Sequence, residues 1–163
     1  MIRLTTADDT QALIALANAT GLFEPNQLED LTDMLATDTG NNSTADNDSD
    51  SGAFWLTDDD HGPVGVAYCE PERMTDQTWN LQLIAIHPDR QGQGRGTALL
   101  RYVEKTLAER GGRMLLVETL GTTEFDRTRQ FYTKSGYERE GCIRDFYAAG
   151  YDKVVLRKIL KVA

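Results

Sequence analysis

Gln91-Gly92-Gln93-Gly94-Arg95-Gly96-Thr97 is the stretch of this chain whose residue types and spacing point most directly to chemistry. It lies between an apolar run, Leu81 to Ile86, and an amphipathic run, Ala98 to Leu107, which predicts strand, glycine-rich turn, helix. A helix that starts straight after such a turn leaves its first N–H groups unpaired and adds a positive dipole end. The turn therefore suits an anion such as a diphosphate. Glycine at 92, 94 and 96 lets a ligand approach the backbone. Arg90, Arg95 and Arg101 lie in or just beyond the turn and predict a positive island there, although Arg90 or Arg101 taken alone reads better as a solvated surface charge.

Two better-known phosphate patterns fail here. Gly-x-Gly-x-x-Gly begun at Gly92 needs glycine at position 97, which is Thr97, and no early βαβ unit surrounds it. The nucleoside-triphosphate loop needs Gly-Lys-Ser/Thr, whereas the chain has Gly94-Arg95-Gly96-Thr97. A nucleotide hydrolase or a dinucleotide enzyme is thereby disfavoured. What remains is Gln-x-x-Gly-x-Gly, carried by Gln91, Gly94 and Gly96 and preceded by Ile86-His87-Pro88. This resembles the acetyl-CoA signature of the GNAT superfamily of N-acetyltransferases. The family's second pattern, Asn-x-x-Ala-x-x-Phe-Tyr-x-x-x-Gly-Phe/Tyr, is matched by Phe131-Tyr132-Thr133-Lys134-Ser135-Gly136-Tyr137, while its Asn and Ala positions fall on Phe125 and Thr128. Ile143-Arg144-Asp145-Phe146-Tyr147, then Gly150, Asp152 and Lys153, is similar to the ending of a small bacterial GNAT subgroup.

The resemblance implies attack by a neutral amine on the thioester of acetyl-CoA, giving an amide and free CoA, with acetyl-CoA as co-substrate and no metal. It implies that backbone N–H groups of Gln91, Gly92, Gln93, Gly94, Arg95, Gly96 and Thr97 hold the diphosphate. Those of Ala85 and Ile86 would hold the pantetheine amides, with Phe131 beside the cofactor. A simple alkylammonium, with a pKa of about 10, is almost wholly protonated at neutral pH and must lose a proton. The thiolate leaving group in turn benefits from an acid. The family assigns that acid to Tyr132, which spacing alone would read as core packing. Where some members place His or Glu on the strand before the turn, this chain offers the amides Asn80 and Gln82. Glu118 on the following strand is the best remaining carboxylate, and it could equally orient a cationic substrate or pair with an Arg. Asp145 and Tyr147 are expected to line the acceptor pocket; a surface strand is the plainer reading. The missing histidine or glutamate motivates a second hypothesis, a non-catalytic acyl-CoA-binding sensor or interaction module. His87 reads as a turn former, His61 as solvent-exposed, and Cys142 as a buried inert thiol.

The elements that must position these residues are legible in outline. Ile2 to Leu4 predicts a first strand, and Thr6 with Asp9 three residues on predicts a capped helix through about Ala19. A second helix is expected over 26–36, with Leu28, Leu31, Met34 and Leu35 on one face; in GNAT proteins this region borders the acceptor site. Residues 37–51 hold no large apolar side chain and predict a flexible acidic loop. Strands are expected over 53–57 and 64–69 around a turn at 58–63, then over 79–86, 114–119 and 154–160. Helices are expected over 94–110 and 125–135, closed by Gly111-Gly112 and Gly136. Together these predict a mixed α+β fold, and the resemblance implies a largely antiparallel central sheet flanked by helices, with a cleft where two parallel strands splay.

At 163 residues the chain is one domain's worth, expected to form a single N-acetyltransferase domain. Cys69 and Cys142 have no C-x-x-C spacing, which argues against a disulfide framework or zinc site and makes a reducing compartment the default. A net charge of −9 argues against nucleic acid or an anionic membrane as the main partner. No window approaches the roughly 20 apolar residues of a membrane span, and the start lacks a leader pattern, so a cytoplasmic location is expected. Homodimers are common in such families, so a second copy is a candidate partner.

Overall fold

Four helices and seven strands run along the chain in the computed structural model, which describes residues 1–41 and 52–160. In order they are β1 (Ile2–Leu4), α1 (Thr10–Thr20), α2 (Pro25–Asn41), β2 (Phe54–Asp59), β3 (Pro63–Pro71), β4 (Thr78–Ile86), α3 (Arg95–Glu109), β5 (Met114–Leu120), α4 (Asp126–Lys134), β6 (Glu138–Ala148) and β7 (Tyr151–Ile159). The hydrogen-bonded strand order is β1-β2-β3-β4-β5-β7-β6, largely antiparallel, with β4 and β5 parallel. The mixed α+β expectation is therefore met. The chain divides into two compact units, Met1–Glu70 with Leu83–Val103, and Pro71–Gln82 with Glu104–Ala163.

In the first unit, Ile2 to Leu4 pairs antiparallel with β2 from Asp58 to Leu56, and β2 pairs antiparallel with β3. The predicted cap is present. The Thr6 backbone N–H donates to Asp9 Oδ2 at 2.8 Å, closing a short 3-10 turn that leads into α1. Arg3 adds a two-pronged contact, donating to both oxygens of Asp9 at 2.7 and 2.8 Å and to Asp59 Oδ2 at 2.8 Å. Leu13, Leu16 and Ala17 of α1 and Leu31 and Leu35 of α2 join a buried core with Trp55, Val66, Tyr68 and Ala85. The Trp55 and Tyr68 rings stack within it, centroids 4.3 Å apart. Helix α2 runs on to Asn41, past the expected end at 36 and into the stretch expected as a loop; the rest of that stretch, 42–51, lies outside the described residues.

In the second unit, Thr78 to Leu81 of β4 pair in parallel with Met114 to Val117 of β5. The ladder stops there although both strands continue. β5 alternates, burying Leu115, Val117 and Thr119, and pairs antiparallel with β7 along its whole length. The turn from β3 into β4 is braced from outside. Glu72 N–H donates to Thr78 O at 2.8 Å, Arg113 N–H donates to Gln77 O at 2.8 Å, and Arg113 Nε donates to Asp76 O at 3.0 Å. Strand β6, foreseen only as a surface strand around Asp145 and Tyr147, is exposed along almost its whole length, and Cys142 with it; the expectation of a buried thiol was wrong. Alternation could not reveal β6, because charged residues occupy both of its faces.

Candidate functional site

The glycine turn has the conformation its composition requires. Gly92 and Gly94 have φ of +75° and +79°, in the left-handed region that disfavours a side chain, and a Cβ built at either meets nothing within 4 Å. Residues 91–94 are exposed, and α3 starts at Arg95, so its first N–H groups have no helical partners. Two side chains set the turn's entry. His87 accepts the Asp89 N–H on Nδ1 at 3.2 Å, and Gln91 Nε2 donates to Ile86 O at 3.0 Å. Gln91 thus ties the turn to the end of β4, a role its position in the motif did not disclose. Behind it, α3 buries Leu99, Leu100, Val103 and Leu107, and the Gly112 N–H donates to Leu107 O at 2.7 Å to close the helix.

The expected positive island is reduced to Arg101, which is exposed, because Arg90 and Arg95 have carboxylate partners. Arg95 donates to Asp58 Oδ2 at 3.0 Å and to Asp60 Oδ2 at 2.7 Å, and Arg90 also pairs with Asp60. Hydrogen bonding to Arg90 holds the Asp60 carboxyl below the usual carboxylate range. Two guanidinium charges are thus matched by two carboxylates, and Arg95 acts as a brace between α3 and the β2–β3 turn. What the turn offers an anion is its backbone and the helix dipole. His61, in the same β2–β3 turn, is exposed as expected.

In the second unit, β4 and β5 bring a polar cluster together. Asn80, only 1% exposed, donates from Nδ2 to Glu118 Oε1 at 3.1 Å and to Glu72 Oε1 at 2.9 Å. Glu118 Oε2 accepts from Lys153 Nζ at 3.1 Å, and that ammonium lies 4.1 Å from the centroid of the Phe146 ring. Tyr147 also belongs here: burial, with the Glu118 charge added, pushes its hydroxyl pKa up. Sequence reasoning singled out Glu118 and Tyr147 but missed Glu72, and it dismissed Asn80 as a poor base without seeing that it positions carboxylates. No sequence signal links Glu72 to Glu118, since the turn and the parallel register create their proximity.

Tyr132 is 3% exposed, with its ring edge-on to Phe131 (centroids 5.1 Å apart) and to Tyr137 (5.5 Å). Tyr137 donates its hydroxyl to Glu104 Oε2 at 3.1 Å, and Lys158 Nζ donates to Glu104 Oε1 at 2.8 Å, so the aromatic group sits on a satisfied polar base. Asp145 has a φ of +57° and closes the β6–β7 hairpin. Its N–H donates to Asp152 Oδ1 at 3.0 Å, and its Oδ1 accepts the Gly150 N–H at 2.8 Å. The structure thus gives Asp145 a turn-forming contact and brings only Tyr147 to Glu118. Among the described residues no cluster of His, Cys, Asp and Glu could hold a metal ion, and no helix is long and apolar enough to cross a membrane.

Residues 50–139 match the acetyltransferase (GNAT) domain family, more than half of the chain. Among solved structures, a protein assigned to the GNAT family from Desulfovibrio desulfuricans is similar with a TM-score of 0.88 and 28% identity, covering 99% of both chains. The ribosomal-protein-S18-alanine N-acetyltransferase of Escherichia coli is similar with a TM-score of 0.75 and 19% identity over 100% of this chain and 95% of its own. An aminoglycoside 6'-N-acetyltransferase complexed with coenzyme A is similar with a TM-score of 0.74 and 17% identity over 99% of this chain and 97% of its own. No curated protein matches the chain.

Proposed function

The chain belongs to the GNAT acetyltransferase family, and from that premise we propose that it transfers the acetyl group of acetyl-CoA to a primary amine on a small molecule, peptide or protein. The whole chain acts as one N-acetyltransferase domain in the cytoplasm. The observation that carries the reading is the exposed turn at 91–94, opening a helix with left-handed glycines and nothing above them. Backbone N–H groups from Gln91 to Thr97 hold the diphosphate there, those of Ala85 and Ile86 hold the pantetheine arm, and Phe131 packs beside it. Arg95 contributes its N–H, because its side chain is committed to Asp58 and Asp60.

Bound acetyl-CoA supplies an electrophilic thioester carbonyl. Glu118, kept in place by Asn80, accepts the proton that the amine must lose. Tyr132 donates a proton to the departing thiolate, and Asp145 and Tyr147 border the acceptor. This division of labour favours turnover over a purely binding module, because a carboxylate supplies the base that the strand before the turn lacks.

Release of CoA thiol in the presence of an amine panel tests the proposal. Wild-type protein is expected to turn over at least one primary amine, and Tyr132→Phe to lose about 10²- to 10⁴-fold in kcat, the range of a single acid–base group, with acetyl-CoA affinity retained. Full activity in Tyr132→Phe would remove the proposed acid; acetyl-CoA binding without turnover on any amine would favour the sensor.

A further inference from the structure

The geometry points to a seat for the acceptor's ammonium group at Glu72 and Asn80, next to the carboxylate proposed as the base. This deepens the acetyltransferase reading and rests on it. Both N–H donors of the Asn80 carboxamide are in use, one on Glu72 Oε1 at 2.9 Å and one on Glu118 Oε1 at 3.1 Å. That fixes the amide's orientation, because the reverse assignment would set its oxygen against two carboxylates. Oδ1 is therefore the free end, and it is buried with no donor.

Charge points the same way. Lys153 neutralises Glu118, whereas no cation of the described residues pairs with Glu72, which is half-buried. The cluster holds one carboxylate in excess and one buried carbonyl oxygen lacking a donor. A primary ammonium, with three donors and no acceptor, complements both; a hydroxyl brings no charge, and an anion is repelled. The frame is fixed in advance, since Glu72 N–H is bonded to Thr78 O and Arg113 holds the intervening turn. Lys153 illustrates the chemistry from within the chain: its ammonium rests against the Glu118 carboxylate and over the Phe146 ring. Glu72 is then a specificity-determining residue that selects acceptors arriving as cations.

Calorimetric titration of 1,4-diaminobutane, with and without CoA present, reads this seat without requiring turnover, and 1,4-butanediol serves as the uncharged counterpart. Saturable diamine binding is expected in the wild type, at least tenfold weaker in Glu72→Gln, largely kept in Glu72→Asp, and absent for the diol. Melting temperature and acetyl-CoA affinity should be the same in all three proteins. Equal diamine affinity in wild type and Glu72→Gln, or no saturable diamine binding to the wild type, overturns the seat. Failure of the wild type to bind acetyl-CoA would instead overturn the acetyltransferase reading.

Discussion

Gly94 shows how one residue can decide binding without deciding folding. Its φ of +79° costs a non-glycine residue on the order of 1–2 kcal/mol, an amount a domain of this size absorbs, and a Cβ there enters open space. Gly94→Asp is therefore expected to stay folded by circular dichroism while placing a carboxylate where a diphosphate would sit. Acetyl-CoA affinity should fall at least about tenfold, roughly 1.4 kcal/mol, in a calorimetric titration; unchanged affinity would contradict the assignment of the turn. At this scale the sequence was informative where chemistry resides in backbone conformation, because glycine spacing reports φ directly. It was silent where chemistry resides in side-chain partners. Nothing in the spacing tells that Arg95 is spoken for by Asp58, or that Asn80 links Glu72 to Glu118, since those contacts arise only when distant segments pack.

Among the elements, the link between β1, the 3-10 turn at 7–9 and β2 is electrostatic as well as hydrogen-bonded. Hydrogen bonds from Arg3, ahead of all other causes, hold Asp9 and Asp59 below the usual carboxylate range. A carboxyl whose pKa is depressed by folding contributes stability that is complete above its unfolded pKa of about 3.9 and is lost as pH falls through the folded value. Asp9→Asn should thus lose about 1–3 kcal/mol at pH 7 in urea unfolding, the range for a partner removed from a charged hydrogen bond. The gap to wild type should narrow as pH falls below about 4; a gap independent of pH would mean that Asp9 acts only as a neutral cap. Amphipathic elements such as α3 were readable from apolar spacing and terminal glycines. Helix α2 outran its expected end: it runs on through Thr37 and Asp38 to Gly40 and Asn41, so the first residues without an apolar side chain do not end it. The bounds of β6 escaped notice because the pairing with β7 places it at the edge of the sheet, where no buried face imprints alternation on its sequence.

Across the whole molecule the net charge is −9, and the two arginines beside the glycine turn are matched by Asp58 and Asp60. On the proposed reading, a polyanionic donor approaches a molecule of like net charge and binds through short-range backbone contacts. Raising ionic strength from 10 to 150 mM shortens the Debye length from about 30 to about 8 Å, and the association rate for acetyl-CoA in stopped flow is expected to rise by about twofold. A steep fall with salt would reveal a basic steering surface that this account does not contain. Fold class was legible at this scale because the order of apolar runs and glycine stops is written along the chain. The insertion of β7 between β5 and β6 was not, because it depends on pairing between segments distant in sequence.

The central claim is that the turn at 91–97 makes this chain an acetyl-CoA-dependent enzyme, and calorimetric titration of acetyl-CoA into the wild-type protein tests it most directly. One saturable site per chain is expected, with thermal stability raised by about 2.7 kcal/mol at a hundredfold excess over Kd. A folded protein that shows neither heat nor stabilisation at millimolar acetyl-CoA would contradict it.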